Sequence, residues 1–331
     1  MSKRRTTIRP TGPPRRFRWC GIWRRRVNEI VLGGAGYAGL FQPVDADSAQ
    51  DALTAAWDSG IRAFDTAPHY GAGLSEERLG LFLRSKPRSE FTVSTKVGRL
   101  LYDDPGAPDG VDDFYGAPKR SRRLDYSADG VRRSVEQSLR RLRLDRVDTL
   151  LVHDPDDHQA QALAEAIPAL ARMRAEGLTS GIGVGVNHVA VALRFVREAP
   201  IDELMIAGRY TLLDRRAEDE LLPECAARGI RVLVAGVLNS GVLVNPEQRP
   251  VFDYRPAAAE IVERARALAR LCAKYEVPLR AAALQFPGRH AAVHATVLGA
   301  GSRDEIADSI AMLEFPVPDE LWDELMSSAA L

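Results

Sequence analysis

From residue 30 onward, short apolar runs alternate with longer segments in which apolar residues recur every three or four positions. That alternation is the pattern of parallel strands joined by crossover helices. The runs predict strands at 30–33, 61–65, 91–96, 147–153, 181–186, 203–208, 230–235 and 294–298. Helices are expected between them at 47–58, 75–84, 128–142, 160–176, 188–198, 216–228, 257–275 and 302–313. The segment 128–142 shows the helical stripe most plainly, with Val131, Val135, Leu139 and Leu142 on one side and arginines elsewhere. Eight such units predict an α/β chain folded as a single (β/α)8 barrel over residues 27–331. No break in composition calls for a second domain.

Two stretches fall outside the alternation. Residues 99–127, rich in Gly, Pro and Asp, form a long insertion directly after the third strand, which in a barrel lies on the catalytic face. Residues 1–26 hold Pro10, Pro13, Pro14 and a cluster of arginines, and read as a disordered or loosely attached arm.

Strand phase then selects the chemistry. Successive side chains of a strand point to opposite faces. If Phe64, Phe91, Val93, Leu150 and Val152 face the helices, then Asp65, Lys96 and His153 all project into the barrel, each at the C-terminal end of its strand. Barrel active sites are built at those ends, and three ionisable residues meeting there are costly unless paired. Tyr70, in the Gly-rich turn after the second strand, can bring its phenol over the same mouth. A nearby ammonium is expected to lower the phenol's pKa by about 1 to 3 units. The set therefore reads as Asp65 orienting Lys96, and Lys96 tuning Tyr70 as proton donor or acceptor, with His153 binding the substrate oxygen. Taken singly, each residue has a bland explanation as a turn former, a solvated lysine or a satisfied core histidine.

Charge and cysteine content narrow the classes. The chain has 331 residues, 45% of them hydrophobic, enough for one barrel-sized core. Its formal net charge is zero, but residues 1–26 carry ten Lys or Arg and no acid. The remaining 35 basic residues face all 45 acidic ones, a net charge of −10 that argues against a nucleic-acid surface. Cys20, Cys225 and Cys272 lie far apart without CxxC spacing, so neither a disulfide framework nor a zinc knuckle is expected, and a reducing cytoplasm fits. No metal site is expected either, since the histidines lack ligand spacing. No apolar run reaches the length of a membrane span. Arg24–Arg26 followed by IVLGGAGYAGLF imitates a short export signal, but Asn28 and Glu29 interrupt it and the run reads as the first strand and its loop.

Gly34-Ala35-Gly36-Tyr37-Ala38-Gly39 spells GxGxxG after that strand. A dinucleotide turn would open directly into a helix, whereas Pro43 blocks one here, so the stretch reads as a loop over the barrel mouth.

Several pieces, among them GIRAFDTAPHYGAGLSEERLG, VSTKVGRLL, DTLLVHDPDD, GIGVGVNH, GVLNSGVL and VLGAGSRDEI, give the chain a resemblance to the aldo-keto reductase superfamily from about Val27 onward. PHYGAGLSE, FYGAP, HDPDD and NSGVL resemble its aldose 1-dehydrogenase group, which includes fucose, galactose and pyridoxal 4-dehydrogenases. The resemblance implies a catalytic tetrad of Asp65, Tyr70, Lys96 and His153, and a nicotinamide cofactor across the barrel mouth. It places Asn187 at the carboxamide, and Gly299, Gly301, Ser302, Arg303 and Asp308 around the rest of the cofactor. The implied reaction is oxidation of a cyclic hemiacetal to a lactone. In two places the chain departs from the wider pattern. Ala235 and Gly236 stand where many members have a tyrosine stacked on the nicotinamide. Glu305 stands where many carry a cation for the 2′-phosphate of NADP, which favours NAD, although Arg303 offers NADP a partner. Ser302 and Glu305 also spell a capping box. Other readings are an NADPH-dependent reductase of small aldehydes and a cofactor-binding regulatory subunit without useful turnover.

Overall fold

The computed structural model describes residues 29–327; the basic arm at 1–26 and Cys20 lie outside them. Eight parallel strands close into a barrel: β1 (Ile30–Gly33), β2 (Ala63–Asp65), β3 (Thr92–Val97), β4 (Thr149–His153), β5 (Gly181–Val186), β6 (Glu203–Ala207), β7 (Arg231–Ala235) and β8 (Val293–Gly299). Each pairs with its sequence neighbour, and β8 returns to β1. The crossover helices are α1 (Ala46–Asp58), α2 (Leu74–Leu83), α3 (Ala128–Leu142), α4 (Ile167–Ala175), α5 (Val189–Glu198), α6 (Leu221–Arg228), α7 (Ala259–Lys274) and α8 (Arg303–Glu314).

The barrel interior holds Val31, Leu151, Met205, Leu233, Ala295 and Val297, packed with Ala63 and Ala235. Phe64, Val93, Leu150 and Val152 belong to the larger layer between strands and helices. Leu151 thus shares the inside with His153, and Ala63 with Asp65, as the period of two requires. Registers of Asp65 against Ser94 and of Lys96 against Leu151 bring the C-terminal ends of β2, β3 and β4 to similar height.

Some elements differ from expectation for local reasons. The insertion is not irregular throughout: Arg99–Asp103 and Arg120–Leu124 pair as an antiparallel hairpin. Helix 216–228 begins only at Leu221, because the Asp214 carboxylate accepts from the Arg216 backbone N–H and guanidinium and holds a turn there. Ahead of α4, residues Ala162–Ala166 form a π turn. Pro168, without an N–H, interrupts the helical ladder just beyond it. Helices Leu279–Gln285 and Asp319–Ser327 were not expected. Among the described residues no helix is long and apolar enough to cross a membrane, and no group of three or more His, Cys, Asp or Glu could hold a metal. Cys225 and Cys272 are buried free thiols.

Candidate active site

The GxGxxG stretch forms a short 3-10 turn over Gly36–Ala38 rather than a helix start. Its glycines serve close packing. A side chain at Gly36 would meet the Ala300 carbonyl at 2.5 Å, and Gly34 leaves room for Ser75 Oγ and Tyr37. This loop supports the Tyr70 turn, since Gly71 lies against the Ala38 carbonyl and Gly73, at φ 91°, starts α2.

That turn delivers Tyr70 to Lys96. Nζ of Lys96 donates to Asp65 Oδ2 at 2.5 Å, to the Thr66 carbonyl at 3.1 Å and to Tyr70 Oη at 3.0 Å. An ammonium has three donors, and all three are used. Ser94, one position along the inner face of β3, donates to the other oxygen of Asp65 at 2.8 Å. Both Asp65 and Lys96 are 1% exposed, so the pair is removed from water. The His153 ring stands edge-on to Tyr70 with centroids 5.8 Å apart. Phe114, from the FYGAP stretch of the insertion, is buried and stacks on the Tyr70 ring at 6.0 Å.

Burial and charge set the protonation states. Burial pushes the Tyr70 phenol up to about 12, and the Lys96 ammonium pulls it back only in part. The expected net lowering of the phenol's pKa is therefore not found, because loss of water around the phenolate outweighs the neighbouring charge. For Lys96, burial works against the ammonium, but Asp65 and Tyr70 outweigh it and the pKa is raised. Burial, then Arg99 and Lys96, hold His153 well below the usual imidazole range. Burial with Arg99, Arg122 and Lys96 lowers His69 to about 2. Both imidazoles are neutral at pH 7 and can offer one N–H and one lone pair.

The structure thus gathers Asp65, Tyr70, Lys96 and His153 at one mouth. Asn187 follows β5; its backbone oxygen accepts from Arg209 Nε at 2.6 Å, while its side-chain amide has no partner among the described residues. Asn239 is 2% exposed, with its Oδ1 buried and unpartnered. In the last loop, Ser302 Oγ caps the helix by accepting from the Glu305 N–H at 3.2 Å, and Glu305 Oε2 reaches one residue past the N-cap to accept from the Gly301 N–H at 2.7 Å, in place of the Ser302 N–H that a reciprocal capping box would use. Gly299 has open space where a side chain would stand, and Arg303 is exposed. Asp308 is not brought to this loop: its carboxylate pairs with Arg280 on the neighbouring helix Leu279–Gln285.

A free amide at Asn187, an orphaned buried oxygen at Asn239, and an open glycine beside a helix N-terminus fit a ligand with a carboxamide ring and an anionic tail. Sequence reasoning missed Ser94, His69, Phe114 and Asn239 as parts of this surface. Phe114 and Asn239 sit in the quoted FYGAP and NSGVL stretches, which was the available signal.

The model of the Aldo/keto reductase family matches residues 29–330. The chain belongs to the aldo/keto reductase family. It is 43% identical over 306 residues to a D-threo-aldose 1-dehydrogenase of Pseudomonas sp, covering 90% of this chain and 93% of that one. It is 40% identical over 327 residues to a pyridoxal 4-dehydrogenase of Microbacterium luteolum, covering 92% and 95%. The solved glycerol dehydrogenase of Gluconobacter oxydans superposes with a TM-score of 0.72 at 23% identity, covering 90% of each chain, and shares the fold. The protein is accordingly an oxidoreductase of a family that works with nicotinamide cofactors.

Proposed function

We propose that this reductase-family enzyme oxidises the anomeric hydroxyl of an aldose, or a similar cyclic hemiacetal such as pyridoxal, to a lactone. The observation that carries the proposal is the Lys96 ammonium, locked between Asp65 and Tyr70 Oη beside a neutral imidazole at His153. The names of the two relatives at 43% and 40% identity support the substrate class. Asn187 and the loop from Gly299 to Arg303 would hold a nicotinamide, which would supply the hydride acceptor. Tyr70 Oη takes the proton of the anomeric hydroxyl, Lys96 stabilises the phenolate through their 3.0 Å hydrogen bond, and His153 orients the reacting oxygen. NAD is the favoured cofactor, because the Glu305 carboxylate already occupies the Gly301 N–H and would repel a 2′-phosphate.

A second reading, reduction of small aldehydes, is favoured by one observation: a phenol whose pKa lies near 12 is already protonated and ready to donate. One screen separates them, with aldoses, pyridoxal and simple aldehydes offered with NAD and NADP while the absorbance of reduced nicotinamide is followed. Faster oxidation of aldoses or pyridoxal with NAD is expected; turnover confined to aldehyde reduction with NADPH would replace the first reading by the second.

The two directions differ in pH dependence. Oxidation needs the tyrosinate, so below the pKa of about 12 its rate should rise about tenfold per pH unit on the alkaline side of neutrality. Reduction needs the phenol and should stay nearly flat over the same range. Initial rates between pH 6.5 and 9.5 in both directions test this, and a flat oxidation profile would remove Tyr70 as the base.

A further inference from the structure

We propose that Asp154 and Arg99 together read the hydroxyl on the carbon next to the reacting one, so that the site selects α-hydroxy carbonyl compounds and their cyclic forms over deoxy analogues. The inference deepens the oxidoreductase reading above and rests on it, favouring its aldoses over pyridoxal, whose neighbouring ring carbon bears no hydroxyl.

Asp154 directly follows His153 and adopts φ of 41°, in the left-handed region. A non-glycine residue stays there only when its surroundings fix it, and such positions gather at functional sites. Three contacts fix this one. The Asp154 N–H donates to the Gly185 carbonyl at 2.9 Å. The Tyr126 hydroxyl reaches the carbonyls of both His153 and Asp154, at 2.7 and 2.8 Å. The turn brings the carboxylate back toward the catalytic imidazole, with Oδ2 3.5 Å from His153 Nε2.

Arg99 comes from the other side. Gly98, at φ 105°, lets the chain turn against Tyr126, where any side chain would strike the ring at 2.2 Å. The Arg99 guanidinium then meets Asp154 Oδ2 at 3.2 Å. Its Nε is buried and without a hydrogen-bond partner among the described residues. A buried donor left unmade is unusual in a folded protein, and a ligand atom is one way to satisfy it. Stability does not explain the pair, because its side chains keep 22% and 31% exposure and ion pairs that wet contribute little.

The chemistry follows from position. The reacting oxygen has to lie within hydrogen-bond reach of Tyr70 Oη and the His153 ring. An oxygen on the adjacent carbon lies about one hydrogen-bond length from the first, which brings it to the Asp154 carboxylate. A hydroxyl there donates to the carboxylate and accepts from the guanidinium, satisfying both charges at once. A deoxy analogue puts a methylene against the ion pair and leaves the buried Arg99 Nε without a partner, the situation in which polar sites discriminate most strongly.

The test compares kcat/KM for an aldose and its 2-deoxy counterpart in oxidation, and for lactaldehyde and propanal in reduction. It uses the wild type, Arg99→Leu, Arg99→Lys and Asp154→Asn; asparagine tolerates the left-handed backbone and preserves shape. The wild type should prefer the hydroxylated partner by at least about tenfold, the smallest effect expected of a charge-assisted hydrogen bond. Arg99→Leu and Asp154→Asn should bring that ratio close to one, with the change carried by KM, and Arg99→Lys should recover part of it. A wild-type ratio near one, or variants that keep the wild-type ratio, would overturn the proposal. If no aldose is oxidised, the aldose reading fails while the lactaldehyde and propanal pair still decides this one.

Discussion

Replacing Tyr70 with phenylalanine should lower kcat/KM for the preferred substrate by at least about a hundredfold, the lower end of what a positioned acid–base group contributes. The fold should survive the change. Among the described residues the only hydrogen bond of the phenol is to Lys96, and Lys96 keeps Asp65 and the Thr66 carbonyl when it is lost. The phenylalanine ring keeps its place on Phe114. The stability cost is therefore about 1.5 to 3 kcal/mol, that of one hydrogen bond to a charged group. The loss should appear in kcat, with cofactor affinity, measured by quenching of protein fluorescence, close to that of the wild type. Turnover within tenfold of the wild type would show that the proton travels by another group.

What could be read from the sequence is what depends on local periodicity. The inward direction of Asp65, Lys96 and His153 follows from an alternation that no long-range contact can alter without breaking the strand, and the structure places all three as that alternation predicts. The closed barrel was legible for the same reason, since eight apolar runs alternating with amphipathic segments admit few other arrangements. The walls of the site were not legible. Phe114, Arg99 and Asp154 owe their positions to contacts between segments far apart in sequence. The bridge of Leu40 to Phe114 and the grip of Tyr126 on the Asp154 carbonyl are of this kind. The positive φ of Asp154 leaves no trace in composition, because aspartate is common in ordinary turns as well.

The direction of the Tyr70 shift failed for a related reason. A pairwise argument can count Lys96 from the strand register, but desolvation depends on everything that surrounds the ring, including Phe114 and the turn through Gly73. A phenol that resists ionisation suits a donor in reduction without adjustment, and makes a base in oxidation only to the extent that pH and Lys96 supply the phenolate.

The Lys96 and Asp65 pair makes the second large prediction, and it separates stability from chemistry. Changing Lys96 to methionine removes the ammonium from a carboxylate that is 1% exposed and leaves it with Ser94 as its side-chain donor. Breaking one side of a buried pair typically costs about 3 to 5 kcal/mol, because the remaining charge is neither solvated nor compensated. Urea unfolding at pH 7 should show a loss of that size for Lys96→Met. The double variant Asp65→Asn with Lys96→Met removes both charges and should recover most of it, since a buried pair replaced by neutral groups of similar volume is often neutral in stability. Neither variant should regain turnover, because Tyr70 has lost the cation that offsets its burial. A stable but inactive double variant would mean that the ion pair is kept for proton transfer rather than for folding. A single variant within 1 kcal/mol of the wild type would mean that water reaches Asp65, and the dry, charge-paired site on which the Tyr70 chemistry depends would have to be abandoned.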